Sequence, residues 1–337
     1  MTPNKKNVIL HIGTHKTGTT SIQLYLYKNQ TILERNKILY PPIGCPDFAR
    51  FGQHLLAWTC FEREDYLPMY KGNKLTAFEL RALNLWDQLD KLLATDDSSQ
   101  VVISSEEFSV LGEAGIECVH QKLSGHNVVV VMYLRRQDEF LESAYGTSVI
   151  YNADTRNFYD FSKNQRTNLN YFEMVSLWDK YFGTNNLVVR SYENIAIRKN
   201  VVNDFLHVSG LWFEGMPKFE DIRANVSISA HLVEVIRGLR LRGWTQKKLD
   251  DLQKVAASVQ REGIPSVKTS FMNDEYRKSL RAQFELSNLN LRDKYGCDVT
   301  IGEARTGMDN TSVVTDFCDS FVKVISELQD RGGFVEA

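Results

Sequence analysis

The sequence holds five cysteines, Cys45, Cys60, Cys118, Cys297 and Cys318, but no C-x-x-C pair and no His–Cys set at metal-ligand spacing. That pattern excludes a disulfide-framework protein and points away from a zinc site. The expectation is reduced thiols, no resident metal and an intracellular protein. Charge of one sign is also missing: 40 Lys and Arg stand against 42 Asp and Glu, a formal net charge of −2. No global basic field is available to hold nucleic acid, so any anion site has to be built locally. No apolar run is long enough to cross a bilayer, and residues 1–6 carry no leader-like apolar stretch. A cytoplasmic protein without a membrane anchor is expected. Low-complexity tracts and internal repeats are absent too.

What is present is ordinary globular chemistry, 43% hydrophobic and 24% charged over 337 residues. Short apolar runs read as strands at Asn7–Ile12, Gln100–Ser105, Asn127–Leu134 and Leu187–Arg190. Helical periodicity follows at Thr19–Lys28, Leu75–Leu93, Gln137–Tyr151 and Leu169–Phe182, the last stopped by Gly183. Strands that alternate with helices predict an α/β fold of three α/β/α layers around a mainly parallel sheet. Beyond about residue 211 the pattern is helical only, at Ser229–Leu241, Thr245–Val259 and Asn273–Tyr295. The expected organisation is a core over 1–210 with a helical extension over 211–337 packed on it as one structural domain.

The most informative stretch is Gly13-Thr14-His15-Lys16-Thr17-Gly18-Thr19-Thr20-Ser21, between the first strand and the first helix. Backbone N–H groups in such a turn can wrap an anion, and the helix N-terminus adds a favourable dipole. Lys16 supplies positive charge, Gly18 allows close approach, and Thr19, Thr20 and Ser21 supply hydroxyls. The spacing of Gly13 and Gly18 is that of a nucleotide-triphosphate loop, but position 19 is Thr where that loop has Lys. The lysine sits inside the loop at position 16. That placement suits an anion whose bridging oxygen becomes the leaving group better than a γ-phosphate with Mg²⁺.

Lys16-Thr17-Gly18-Thr19-Thr20-Ser21 resembles the 5′-phosphosulfate loop of the sulfotransferase superfamily, K-x-G-T-T followed by Ser or another residue, position by position. A second stretch strengthens the resemblance. Arg135 ends the strand Asn127–Leu134, and Ser143 follows eight residues later in the next helix. In the family an arginine and a serine so spaced hold the 3′-phosphate. Gln137 stands where many members have proline. The resemblance covers roughly the first half of the chain and implies a P-loop-like sulfotransferase fold of bacterial type. It also implies 3′-phosphoadenosine 5′-phosphosulfate (PAPS) as co-substrate, 3′,5′-adenosine bisphosphate as product, and no metal. The acceptor would be a hydroxyl or amine on a small molecule or glycan.

An acceptor hydroxyl needs a general base, which in this family is His or Glu. Glu106 follows the second strand, where parallel strands present their carboxyl ends to a ligand crevice. It is the first candidate, although a carboxylate there also suits a helix N-terminus with Ser104 or Ser105 as cap. His54 is the second candidate, with a surface-helix position as its plain reading. Arg156, Lys163 and Arg166 are expected in a solvated linker, and Arg223–Ser227 as a helix lead-in. The competing readings are a nucleotide-dependent kinase of related P-loop fold and a non-catalytic anion-binding module. The first would want Lys after Gly18, and the second would be expected to lack one of Lys16, Arg135 and Ser143.

Overall fold

The structure is a computed structural model that describes residues 5–46, 50–62, 69–70, 73–74, 77–163, 169–219, 230–245, 247–250 and 270–301. The chain forms two compact units. The first takes residues 1–136, 166–221 and 284–302, and the second takes 137–165, 222–283 and 303–337.

Within the first unit, five parallel strands form one sheet: β1 (Asn7–His11), β2 (Ile38–Leu39), β5 (Gln100–Ser104), β6 (Asn127–Leu134) and β7 (Leu187–Ser191). Their order is β2-β5-β1-β6-β7, so β1 lies at the centre with β5 and β6 in register on its flanks. Because side chains alternate across a strand, each strand splits its residues between two cores. Val8 and Leu10 of β1 join Val101, Ile103, Val130, Met132 and Leu134 on one face. There they meet α5 (Leu85–Thr95), α6 (Glu113–Leu123) and α9 (Tyr171–Phe182), with Trp86, Ile116 and Trp178 buried among them. Ile9, Val102, Val131 and Tyr133 face the other way, against α1 (Thr19–Lys28) and α11 (Val201–Val208) through Ile22, Leu26, Val202 and Phe205. The three-layer α/β arrangement and the parallel sheet are thus as the alternating pattern predicts.

Local differences have local causes. The helix expected over Leu75–Leu93 is two helices, α4 (Ala77–Ala82) and α5, because Asn84 takes a left-handed φ of 48° and ends the first. α9 starts at Tyr171 instead of Leu169: the Asn170 side chain accepts the Glu173 N–H at 3.3 Å and caps it. Several helices lie outside the ranges read from the sequence, among them the short α2 (Gln30–Arg35); α3 (His54–Trp58) does carry His54, but buried and not on the surface. The hairpin β3 (Met69–Tyr70) and β4 (Asn73–Lys74) and the helix α10 (Ile195–Lys199) also belong to this unit.

In the second unit α7 (Gln137–Tyr151) follows β6 directly, with the predicted bounds. With α8 (Phe158–Lys163) it builds an aromatic nest in which the Tyr145 ring stands edge-on to Phe158 and Phe271, centroids 5.4 and 4.8 Å away. The Tyr145 hydroxyl donates to Glu234 Oε1 at 2.6 Å, tying α7 to α12 (Ala230–Leu241). Beyond residue 211 the described elements are helices, namely α12 and α13 (Asp274–Tyr295), with 247–250 also helical. Ser229, the rest of the expected helix to Val259, Arg166, Arg223–Ser227 and Cys318 lie outside the described residues. Arg156 is exposed and paired with Asp154 through several hydrogen bonds.

Candidate active site

The turn between β1 and α1 is held by its own threonines. The Thr14 hydroxyl donates to the carbonyl of Tyr133 on β6 at 2.9 Å, and the Thr17 hydroxyl donates to the Thr14 carbonyl at 2.6 Å. The Thr19 hydroxyl leans on the same carbonyl at 3.5 Å. Thr14, Thr17 and Thr19 are buried, whereas Thr20 is exposed and Ser21 half-buried. Thr19, one of the expected hydroxyl donors, and Thr17 therefore brace the turn from inside, while Thr20 stays exposed.

Gly18 caps α1 with a φ of 84°, and a Cβ there would lie 2.7 Å from Val201 Cγ1 of α11. Only glycine meets both demands. The Ser21 N–H donates to the Gly18 carbonyl at 2.9 Å and tightens the first turn of α1. Lys16 adopts a left-handed φ of 68°, a conformation that a long side chain takes only when its surroundings impose it.

Arg135, at the end of β6, lies against this turn. Its Nη1 donates to the Lys16 carbonyl at 3.2 Å, its Nε is 4.0 Å from Glu193 Oε1, and its guanidinium stands 5.9 Å from the Tyr192 ring centroid. The Tyr171 hydroxyl donates to the Arg135 carbonyl at 2.7 Å and fixes the backbone there. Lys16 and Arg135 thus share one edge of the sheet's carboxyl end. Burial depresses the Lys16 ammonium below its ordinary range, Arg135 adds to the effect, and Glu106 opposes it. Ser143 belongs to α7 in the second unit and is half-buried, its carbonyl accepting from the Thr147 hydroxyl at 3.1 Å.

Glu106 opens a 3₁₀ turn, Glu106–Val110, just beyond β5. Ser105 does cap that turn, accepting the Glu107 N–H at 3.1 Å, and its hydroxyl is also 2.8 Å from His54 Nδ1. His54 begins α3, is buried, and brings Nδ1 to 3.9 Å from Glu106 Oε2. Gln23 on α1 donates to that same Oε2 at 3.1 Å. Burial pushes the Glu106 carboxyl up. The facing His54 and His15, its own backbone N–H and Gln23 outweigh that and hold it below the usual carboxylate range. The two base candidates are therefore neighbours, not rivals at separate places. His15 itself points at Glu107, with Nε2 4.0 Å from Oε1.

Further residues frame the Glu106–His54 pair, of which the sequence points only to Ser105, as a cap. Gln53 donates to the Pro41 carbonyl at 2.8 Å and accepts the Ser104 N–H at 2.7 Å, and its own N–H donates to the Ser104 carbonyl at 2.9 Å. It locks the start of α3, hence His54, to the end of β5. Gln23, Ser105 and His11 complete the frame, His11 Nδ1 lying 2.8 Å from Ser104 Oγ. Gln23 had a faint signal, as a polar residue on the same face of α1 as buried Leu26.

No family model matches the sequence. An uncharacterised protein of Archaeoglobus fulgidus is 30% identical over 204 residues, which is 58% of this chain and 53% of that protein, so the chain spans about half the length of that relative. The crystal structure of a sulfotransferase from Alicyclobacillus acidocaldarius superposes with a TM-score of 0.51 at 15% identity, covering 88% of this chain and 96% of that one. At that identity the likeness is one of fold.

Proposed function

We propose that the chain is a sulfotransferase that uses PAPS as donor and an acceptor hydroxyl or amine, on a small molecule or glycan, as nucleophile. One observation carries the reading. At the carboxyl ends of two adjacent parallel strands, β1 and β5, an anion-wrapping turn with half-buried Lys16 meets the Glu106–His54 pair. The sulfotransferase-like fold and the Lys16–Ser21 motif support it.

The turn suits such a donor: it has a glycine where a Cβ would collide, a left-handed lysine, and an arginine guanidinium within reach of the lysine's carbonyl. PAPS, when bound, supplies an activated S–O bond whose bridging oxygen departs with the bisphosphate. The turn's N–H groups and the α1 terminus bind the 5′ end of the donor. Lys16 would offset charge developing on the departing oxygen, and its partial burial would strengthen that effect. Arg135 holds phosphate through charge-assisted hydrogen bonds. Glu106 is ionised at neutral pH, accepts the acceptor's proton at Oε2, and is oriented by Gln23 and His54.

Calorimetry and thermal shift with adenosine 3′,5′-bisphosphate test the binding half. Stabilisation by the bisphosphate is expected. Arg135→Ala should weaken binding by about 1.5–3 kcal/mol, the scale of a charged hydrogen bond. Lys16→Ala should reduce turnover more than affinity. Stabilisation by ATP with Mg²⁺ instead would make the chain a kinase, and response to neither would make it a non-catalytic module. Glu106→Gln should bind the bisphosphate normally yet lose transfer of labelled sulfate from PAPS, by about 10²–10⁴-fold. Full rate in that variant with a dead His54→Ala would reverse the two roles.

A further inference from the structure

Cys60 and Cys118 come from segments 58 residues apart in sequence, yet their Sγ atoms are 2.9 Å apart. Cys60 follows α3 and Cys118 lies in α6, both in the first unit. Three features of the chain hold the two segments in place. A Cβ on Gly115, one turn before Cys118 on the same face of α6, would lie 2.8 Å from the Cys60 carbonyl, so the glycine lets the Cys60 backbone seat directly on the helix. Glu62 then accepts the Gly115 N–H at 3.0 Å and caps the start of α6, where Gly112 offers no side chain. On the other side the Trp86 indole donates to the Thr59 hydroxyl at 2.9 Å, and that hydroxyl donates to the Leu56 carbonyl at 2.7 Å.

The two sulfurs have different surroundings. Cys60 is buried, whereas Cys118 is half-buried and so open to a small solute. The Cys60 thiol and the nearby Lys122 and Arg81 outweigh burial and hold the Cys118 thiol down to about 7, while its bond to Cys118 and burial push Cys60 up. Burial pushes Cys45 up to about 11 and Cys297 up to about 12. Among the described cysteines, Cys118 is therefore the one with thiolate character at neutral pH, and reactivity follows the thiolate.

We propose that Cys60 and Cys118 form a redox-active dithiol, a modification site at which a hydroperoxide oxidises Cys118 and Cys60 closes a reversible disulfide. The Cys118 thiolate attacks the outer oxygen of the peroxide; an S–O bond forms, the O–O bond breaks, and the alkoxide or hydroxide leaves to take a proton from solvent. Cys60 sulfur then displaces the new hydroxyl from Cys118 sulfur, an S–S bond forms, and water leaves with the Cys60 proton. The sulfurs have only about 0.9 Å left to close, to the ~2.05 Å of a disulfide. A dithiol reductant reverses the step. The bond would staple the end of α3, the helix that begins with His54, to α6. This proposal does not depend on the sulfotransferase reading.

The test is brief treatment of the native full chain with hydrogen peroxide, alkylation in denaturant, and non-reducing peptide mapping. The expected result is loss of two of the five thiols, a mass decrease of about 2 Da for two hydrogens, a peptide joining Cys60 to Cys118, and recovery with dithiothreitol. Cys60→Ser should leave Cys118 trapped as a sulfenic acid that dimedone labels, and Cys118→Ser should leave Cys60 unlabelled over the same time. Both thiols still alkylable in the wild-type chain, or Cys118 joined to any other cysteine, would overturn the proposal.

Discussion

His11 ends β1 with its ring fully buried between Tyr133 and Phe205, centroids 6.0 and 5.0 Å away. Its Nδ1 meets Ser104, while among the described residues Nε2 has no partner. Burial therefore lowers its pKa to about 4, with Glu106 opposing. The sign of the consequence follows from linkage. The unfolded chain binds a proton near 6.5 and the folded chain only near 4, so the unfolded state gains protons first as pH falls. The contribution to stability is complete above about pH 6.5 and is lost progressively down to about pH 4. Between pH 7 and pH 5 this one imidazole should cost the protein about 2 kcal/mol. Urea unfolding across that range checks it: His11→Gln should show a profile flatter than wild type by that amount, and parallel profiles would mean the ring is hydrated or charged in the fold.

At the level of elements, the β1–α1 turn was legible because its function is written in backbone-compatible residues at fixed spacing: Gly13, Lys16, Gly18 and a run of hydroxyls. Asn127–Leu134 and Gln137–Tyr151 were legible because a long apolar run and a clear helical start leave little choice. The Glu106–His54 pairing was not. Its partners are 52 positions apart, and long-range contacts that no local pattern encodes bring them together: the Gln53 side chain and backbone both bond to Ser104, and His54 meets Ser105. The division of labour among the threonines was also hidden, since a hydroxyl that braces a turn and one that faces a ligand look alike in sequence. Gly18→Ala tests how tightly this turn is specified. The new methyl combines a positive φ with a 2.7 Å approach to Val201, and the loss should be about 1–3 kcal/mol. A Gly18→Ala/Val201→Ala double variant should recover part of it in a denaturant-unfolding cycle, because the two side chains share one contact. Strict additivity would place the whole cost in the backbone.

Across the whole chain, two ways of closing a core are in use. The first unit stacks apolar residues on both faces of a parallel sheet, and the charges it buries, such as Lys6, Arg136 and Glu193, lie at the margins of those layers. The second unit buries charge. Arg277 on α13 donates to Asp138 Oδ2 and Glu142 Oε1 of α7, both at 2.9 Å, and all three residues are buried. Arg281 also reaches Asp138, at 2.6 Å, and Ser270 bonds to both Glu142 and Arg277. Helical periodicity alone gives no warning of this arrangement, since Asp138 in the first turn of α7 and Glu142 one turn later look like an ordinary solvated acidic pair. Such a network adds little to net stability while intact, yet removing one member strands charge away from water. Arg277→Met should therefore destabilise this unit by about 3 kcal/mol, even though it adds apolar surface. Hydrogen exchange should show the loss first in α7 amides, and adding Glu142→Gln should restore part of their protection. Unchanged exchange in Arg277→Met would mean that water enters and solvates the two carboxylates, and that α7 is held by its aromatic nest around Tyr145 instead.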